Sequence, residues 1–219
     1  MTQAPARKPY RRGEGGKLRG DIIATAAALI EETGSEQSVT LREIARRIGI
    51  AAPSIYEHFP NRDAIVYAVI DGCATQLRTA LEQAMDSQPD PLGRLRAGCA
   101  AYLRFADQRP GQYRVLFSRY QHLADRRPDR GAIRTQALHL LVAALRDCAS
   151  AGQITTDDPH GDAVIIWSAL HGYATLRASL PLFDWPAPET ALDRILSRYA
   201  PAPGGEAPVP PDHRREQHG

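Results

Sequence analysis

The chain has 219 residues, 43% of them hydrophobic and 24% charged, which is ordinary usage for a globular protein able to bury a sizeable core. A formal net charge of +2 excludes the strong bias of a wholly basic or acidic polypeptide, so charge has to be read by position. Cys73, Cys99 and Cys148 stand far apart with no Cys-x-x-Cys pair, which argues against a disulfide framework and a thiolate zinc site, and no cofactor or metal is expected.

Position does matter at the start. Between Arg7 and Arg19 lie six basic residues, Arg7, Lys8, Arg11, Arg12, Lys17 and Arg19, against the single acid Glu14. Residues 1–16 show no periodic apolar pattern and are read as a flexible basic arm, a feature common in nucleic-acid binding and equally compatible with a merely solvated start. No apolar run approaches the ~18 residues of a membrane span, and residues 1–20 lack the apolar stretch of a signal peptide. A cytoplasmic protein with no membrane partner is expected.

From there the apolar residues recur at helical spacing. Ile22, Ile23, Ala26, Leu29 and Ile30 define a first helix stopped by Gly34. Leu41, Ile44, Ala45 and Ile48 define a second, opened by Thr40 and Glu43 as a Thr-x-x-Glu capping box and closed by Gly49 in a left-handed conformation. A short third helix is predicted from about Pro53 to His58, with Pro at its first turn. Asn61 caps a long fourth helix running to about Met85. Further helices follow over about 91–108, stopped by Pro110, and over 111–122, 129–151, 157–179 and 188–199. Residues 201–219 are rich in Pro and Gly and read as a disordered tail. No stretch alternates with period two, so the fold class is all-α.

Residues 38–62, SVTLREIARRIGIAAPSIYEHFPNR, place two short helices around the small turn Gly49-Ile50-Ala51, as a helix-turn-helix requires. A helix of about six residues is too short to stand alone. Ile55 and Phe59 are therefore expected to pack on Leu41, Ile44 and Ile48, leaving Ala52, Ser54, Tyr56 and His58 outward. Small and polar groups on a short exposed helix suit a major groove. Arg42, exposed near the start of the second helix, is a further candidate DNA contact. Arg46 and Arg47 fit an ordinary solvated face equally well.

The stretch IARRIGIAAPSIYEHFPNRDAIVYAVI resembles the TetR family of regulators, with Thr40, Ala45, Gly49, Ile55, Tyr56, Phe59, Arg62 and Ile65 in register over about residues 17–66. Ala52-Pro53 departs from the family, where a polar or basic residue is common, and that alters sequence preference. The resemblance implies an N-terminal three-helix helix-turn-helix DNA-binding domain (17–66) followed by a helical ligand-binding and dimerisation domain (67–200). It implies that Thr40 touches a phosphate, a role that helix N-termini suit. It further implies that Ala51, Ala52, Pro53 and Ser54 face base edges, that Tyr56 and His58 contact phosphates or bases, and that Arg62 grips the backbone. The expected partners are double-stranded operator DNA, a small-molecule effector and a second copy of the chain.

In the family, the larger half holds a ligand pocket and dimerises through the last two long helices. Here the stretch DAVIIWSALHGYATLRAS carries small residues (Ala163, Ala169, Gly172, Ala174) and bulky ones (Trp167, Leu170, Tyr173, Leu176). With Leu192, Ile195, Leu196 and Tyr199 these are expected to form a four-helix interface; burial within one chain is the alternative. Its Trp-x-x-x-His-Gly stretch also resembles the C-terminal domain of one branch of the family. Candidate ligand contacts are Tyr102, Phe105, Tyr113, Phe117, His139, Trp167 and His171, each of which could instead fill the core. No HExxH, GxSxG or Walker motif is present, and no enzymatic activity is expected. The resemblance makes a repressor released by its ligand the expected function, with a shift of the fourth helix as the coupling.

Overall fold

The structure, a computed structural model, describes residues 15–118 and 129–200. The predicted tail, all but the last two residues of the predicted arm, and residues 119–122 of the helix expected over 111–122 lie outside the described residues. Every regular element among those described is helical.

Helix α1 (Gly15–Thr33) turns Leu18, Ile22, Ala26, Leu29 and Ile30 into the core and ends at Gly34, whose φ of +64° is the left-handed closure that glycine adopts at least cost. Helix α2 (Leu41–Ile48) is capped by Thr40, whose hydroxyl accepts from the Glu43 N–H at 3.2 Å. The Glu43 carboxylate takes bonds from Arg46 and Arg47, so the expected box is present in its Thr40 half. Gly49 closes the helix at φ 74°.

The expected third α-helix is instead a 3₁₀ segment, Ala52–Glu57. Its bonds run from Ser54 N–H to Ala51 and from His58 N–H to Ile55, each at 3.0 Å. Pro53 donates no N–H and six residues hold too few i→i−4 bonds, so the tighter ladder forms.

Helix α3 (Arg62–Asp86) begins at Asn61, whose side chain accepts from the Ala64 N–H at 2.9 Å. It buries Ile65, Val66, Val69, Ile70, Cys73, Ala74, Leu77 and Leu81, a stripe recurring at three and four residues. Helices α4 (Pro91–Gln108), α5 (Pro110–Ser118), α6 (Asp129–Ser150), α7 (Pro159–Ser179) and α8 (Pro188–Leu196) complete the described chain, with a 3₁₀ turn at Ser197–Tyr199. Asp90 and Asp158 cap α4 and α7 through the N–H groups of Gly93 and Gly161. Pro110, read from sequence as a stop, is the first residue of α5, where a missing N–H costs nothing.

The α3 helix packs against α1, α4, α5 and α6, and it crosses position 66, where the expected domain boundary falls, without a break. It is therefore the axis of the molecule: its first residue is tied to the chain leading into α2, and its last turns line the core of the larger half. Among the described residues, no helix is long and apolar enough to cross a membrane, and no cluster of His, Cys, Asp or Glu could hold a metal.

Candidate functional site

The 3₁₀ segment is anchored from below. Ile55 is fully buried and Phe59 nearly so, and the Arg19 guanidinium of α1 lies over the Phe59 ring, 5.0 Å from its centroid. With those two side chains inward, the segment has to present the others. Ala51, Pro53 and Tyr56 are exposed, Ala52, Ser54 and His58 half-buried, and the Tyr56 ring is 59% exposed, far more than a packing aromatic would show. Thr40 is exposed beside it at the start of α2, as is Arg42. Eight of the nine candidate DNA residues, all but Arg62, thus lie exposed or half-exposed on the segment and the start of α2.

Arg62 has a different occupation. Its Nε donates to the Val39 carbonyl at 2.8 Å, one Nη to the Glu36 carbonyl and the other to Asp63 at 3.1 Å. The guanidinium thereby ties the start of α3 to the chain leading into Thr40, where sequence reading expected it to reach for DNA. Arg46 and Arg47 are also engaged. Both bond Glu43, and Arg47 holds Glu32 of α1 through two bonds of 2.7 Å. Hydrogen bonds from the two guanidinium groups hold the Glu43 carboxyl at a pKa of about 2. Of these pairs only Arg47–Glu32 bridges α2 to α1, and exposed pairs of this kind contribute little to stability.

In the larger half, five of the seven candidate ligand residues converge. The Tyr102 and Tyr113 hydroxyls are 2.8 Å apart, Tyr113 Oη is 2.7 Å from His171 Nδ1, and Trp167 Nε1–H donates to Tyr102 Oη at 3.0 Å. Phe117 packs edge-on against Tyr113 and His171, with centroids 4.9 and 4.6 Å apart. Burial pushes the Tyr102 hydroxyl up to about 12, raises that of Tyr113 and lowers His171, so all three groups are held neutral.

The cluster separates two spaces. Tyr102 and Trp167 border a small apolar cavity of about 30 Å³ between α3, α4, α6 and α7, lined otherwise by residues such as Leu81, Met85, Leu95, Leu138 and Leu141. Tyr113, Phe117 and His171 border a second, larger and more polar cavity of about 260 Å³ that includes Arg114, Thr175 and Ser179. Two candidates fall outside. His139 is exposed on α6, because the inward phase of that helix belongs to Val142, Leu145 and Cys148. Phe105 is buried beneath the Arg109 guanidinium and borders neither cavity.

The residues expected to pair two chains divide between the protomer's interior and its surface. Ala163, Ile166, Leu170, Leu192 and Leu196 are buried within the protomer. The apolar groups left outward on α7 are Val164, Ile165 (61% exposed), Ala169 and Leu176, continued by Leu180, Leu182 and Phe183.

A joint that sequence reading missed links the two halves. The Glu31 carboxylate of α1 accepts from the Gly111 and Gln112 N–H groups at 3.1 Å each, capping the N-terminus of α5 from another helix. A Cβ on Gly111 would stand 2.6 Å from the Ile30 carbonyl oxygen and 2.7 Å from the Glu31 Cα, so only glycine lets the two backbones approach this closely. No local motif announces a cap delivered from 80 residues away.

Comparison with known proteins agrees with this architecture. Residues 22–69 match the family described as bacterial regulatory proteins, tetR family, and residues 95–199 match the tetracyclin repressor-like C-terminal domain. A protein of unknown function from Rhodococcus sp. RHA1 is 25% identical and superposes with a TM-score of 0.76 over 89% of this chain and 100% of that one. The TetR family transcriptional regulator PfmR from Thermus thermophilus shares the fold at 24% identity and a TM-score of 0.64, over 80% of this chain and 97% of that one. The nucleoid occlusion factor SlmA of Photobacterium profundum is 26% identical over 98 residues, 45% of this chain and 50% of its own length. The chain thus spans about half the length of the curated relatives it matches.

Proposed function

The chain belongs to the TetR family of bacterial regulatory proteins, DNA-binding regulators of transcription, and from that premise we propose that it is a cytoplasmic, non-enzymatic repressor that binds a palindromic operator as a dimer and is released by a small molecule. The observation that carries the DNA-binding part is the outward Tyr56 on a 3₁₀ segment held down by the buried Ile55 and Phe59. Such a segment is rigid, projecting and nearly uncharged. It fits a major groove by shape, with Ala51, Ala52, Pro53 and Ser54 against base edges and Tyr56, His58, Thr40 and Arg42 on phosphates or bases.

One short reading head has too few side chains for many specific base contacts. Two heads spaced ~34–36 Å apart read a symmetric site, which favours a dimer. The outward apolar face of α7, centred on Ile165, Ala169 and Leu176, supports pairing there, with α8 alongside; an apolar stripe of this kind on a described surface calls for a cover. In this reading residues 17–66 read DNA and residues 67–200 sense the effector and pair. The unbroken α3 carries a change at its buried end to the spacing of the two heads, and DNA and effector then oppose each other's binding.

Selection of binding sites from random duplexes with the full chain tests this. The expected product is a two-fold symmetric motif, absent with Ile165→Glu, which places a charge on the pairing face and yields a monomer. Enrichment of no motif by a folded dimer would contradict the reading.

A further inference from the structure

The two spaces beside the aromatic cluster differ in size and in charge. The apolar one, about 30 Å³, has room for about one water molecule. The second, about 260 Å³ between α4, α5 and α7, falls just below the ~300–1,000 Å³ of drug-sized ligand sites, so it suits a small ligand of about one ring. Ala106, Pro110, Phe117 and Ala174 give it apolar surface, and among the described residues that line it Arg114 carries the one charge. Arg114 has no carboxylate partner among the described residues. Its guanidinium lies against the end of α1, with Nη1 2.8 Å from where a Cβ on Gly34 would stand. A larger groove between α4, α7 and α8 is different: it holds Asp107 and Glu189 beside its arginines, and Arg96 and Arg177 are paired with Asp193 and Asp107.

The cluster leaves one donor over for this second cleft. Tyr102 and Tyr113 are buried, and each hydroxyl proton needs an acceptor. Within the cluster the acceptors are the other hydroxyl, 2.8 Å away, and His171 Nδ1, 2.7 Å from Tyr113 Oη and 3.3 Å from Tyr102 Oη. Two hydroxyls cannot donate to each other at once, so both protons are placed within the cluster only when Nδ1 accepts. Burial keeps His171 neutral, and its ring proton then sits on Nε2. The half-buried ring borders the second cleft and not the first, which leaves the Nε2–H for a ligand there.

We propose that the effector, on the reading of the chain as ligand-responsive, is a small aromatic carboxylate seated between α4, α5 and α7, its ring against Phe117 and its carboxylate bonded by Arg114 and His171 Nε2–H. A cationic ligand would meet Arg114 with no acid in the cleft to answer it. A hydrocarbon would cover the Nε2–H and leave it unbonded, at the cost of an unmet donor. A carboxylate satisfies both groups through charge-assisted bonds. It also competes for a guanidinium that otherwise rests on the end of α1. Arg114 sits on α5, whose first N–H groups are held by Glu31 of α1, so an occupied cleft acts on the element that joins the two halves.

The test uses three planar probes of nearly one shape and three charges: benzoate, benzamide and benzamidinium. Binding to the full chain is measured by calorimetry at neutral pH for the wild type, Arg114→Gln and His171→Phe. The expected result is a benzoate preference of about fivefold over benzamide, the yield of one charge-assisted bond at a half-open site, with benzamidinium weakest. Arg114→Gln is expected to bring benzoate and benzamide within about twofold of each other while benzamide affinity holds within about twofold, which also shows that the variant cleft is intact. His171→Phe is expected to weaken both by about fivefold, as loss of one hydrogen bond implies; should that variant fail to fold, the Arg114→Gln result decides. Benzamidinium binding best, a benzoate preference that survives Arg114→Gln, unchanged affinities in a folded His171→Phe, or no binding by any of the three overturns the proposal. The expected pattern without any change in DNA affinity supports the assigned chemistry and overturns the regulatory reading instead.

Discussion

Arg62 and Tyr56 stand close in sequence and their side chains have separate tasks. The Arg62 guanidinium directs its donors to Val39, Glu36 and Asp63, whereas the Tyr56 ring faces solvent. Arg62→Ala is expected to lower unfolding stability by about 1–2 kcal/mol, since charge-assisted bonds to two carbonyls are lost; Tyr56→Ala is expected to stay within about 0.5 kcal/mol of wild type. Urea denaturation of the two variants measures both, and an unchanged midpoint for Arg62→Ala would favour the direct DNA grip instead. The sequence made Tyr56 legible because Ile55 and Phe59 fix the inward face around it. It could not reveal Arg62's role, because the partners Glu36 and Val39 lie 26 and 23 residues upstream. The exposure of His139 is not legible for a related reason: on α6 the apolar residues nearly encircle the helix, so periodicity does not settle which side faces the core.

At the scale of elements, the long helices and their caps follow from local rules. Thr40, Asn61, Asp90 and Asp158 each accept a bond at a helix start, and Gly34, Gly49 and Gly152 take positive φ at helix ends. Shorter pieces were less legible. The six residues Ala52–Glu57 cannot distinguish a 3₁₀ from an α ladder by periodicity, and Pro110 signals a boundary without saying which side of it begins. The α1–α5 joint is a tertiary feature, and its test is steric. Gly111→Ala forces a Cβ against the backbone of Ile30 and Glu31, and backbone yields less readily than a side-chain tip. The expected cost is about 1–3 kcal/mol, read as a lower Tm. An unchanged Tm would show that the joint is slack.

Across the whole molecule, α3 unites two regions of different character. One end supports a small reading head whose exposed arginines are partly engaged by Glu43 and Glu32; the other borders an apolar cavity closed by a neutral aromatic relay. The overall division was legible because the helix-turn-helix has a local pattern. The cavity walls were not, since Leu81, Leu95 and Leu138 look like any core leucine until the helices are assembled. Whether the Tyr56 face reads DNA is measured by titrating the full chain onto its selected duplex at two salt concentrations, wild type beside Tyr56→Ala. Wild-type affinity is expected to fall steeply with salt, with a slope of roughly −5 for about six neutralised phosphates, and the variant to bind at least about tenfold more weakly, as loss of one major contact implies. Equal binding by the two proteins, or an affinity indifferent to salt, would contradict DNA reading by that face.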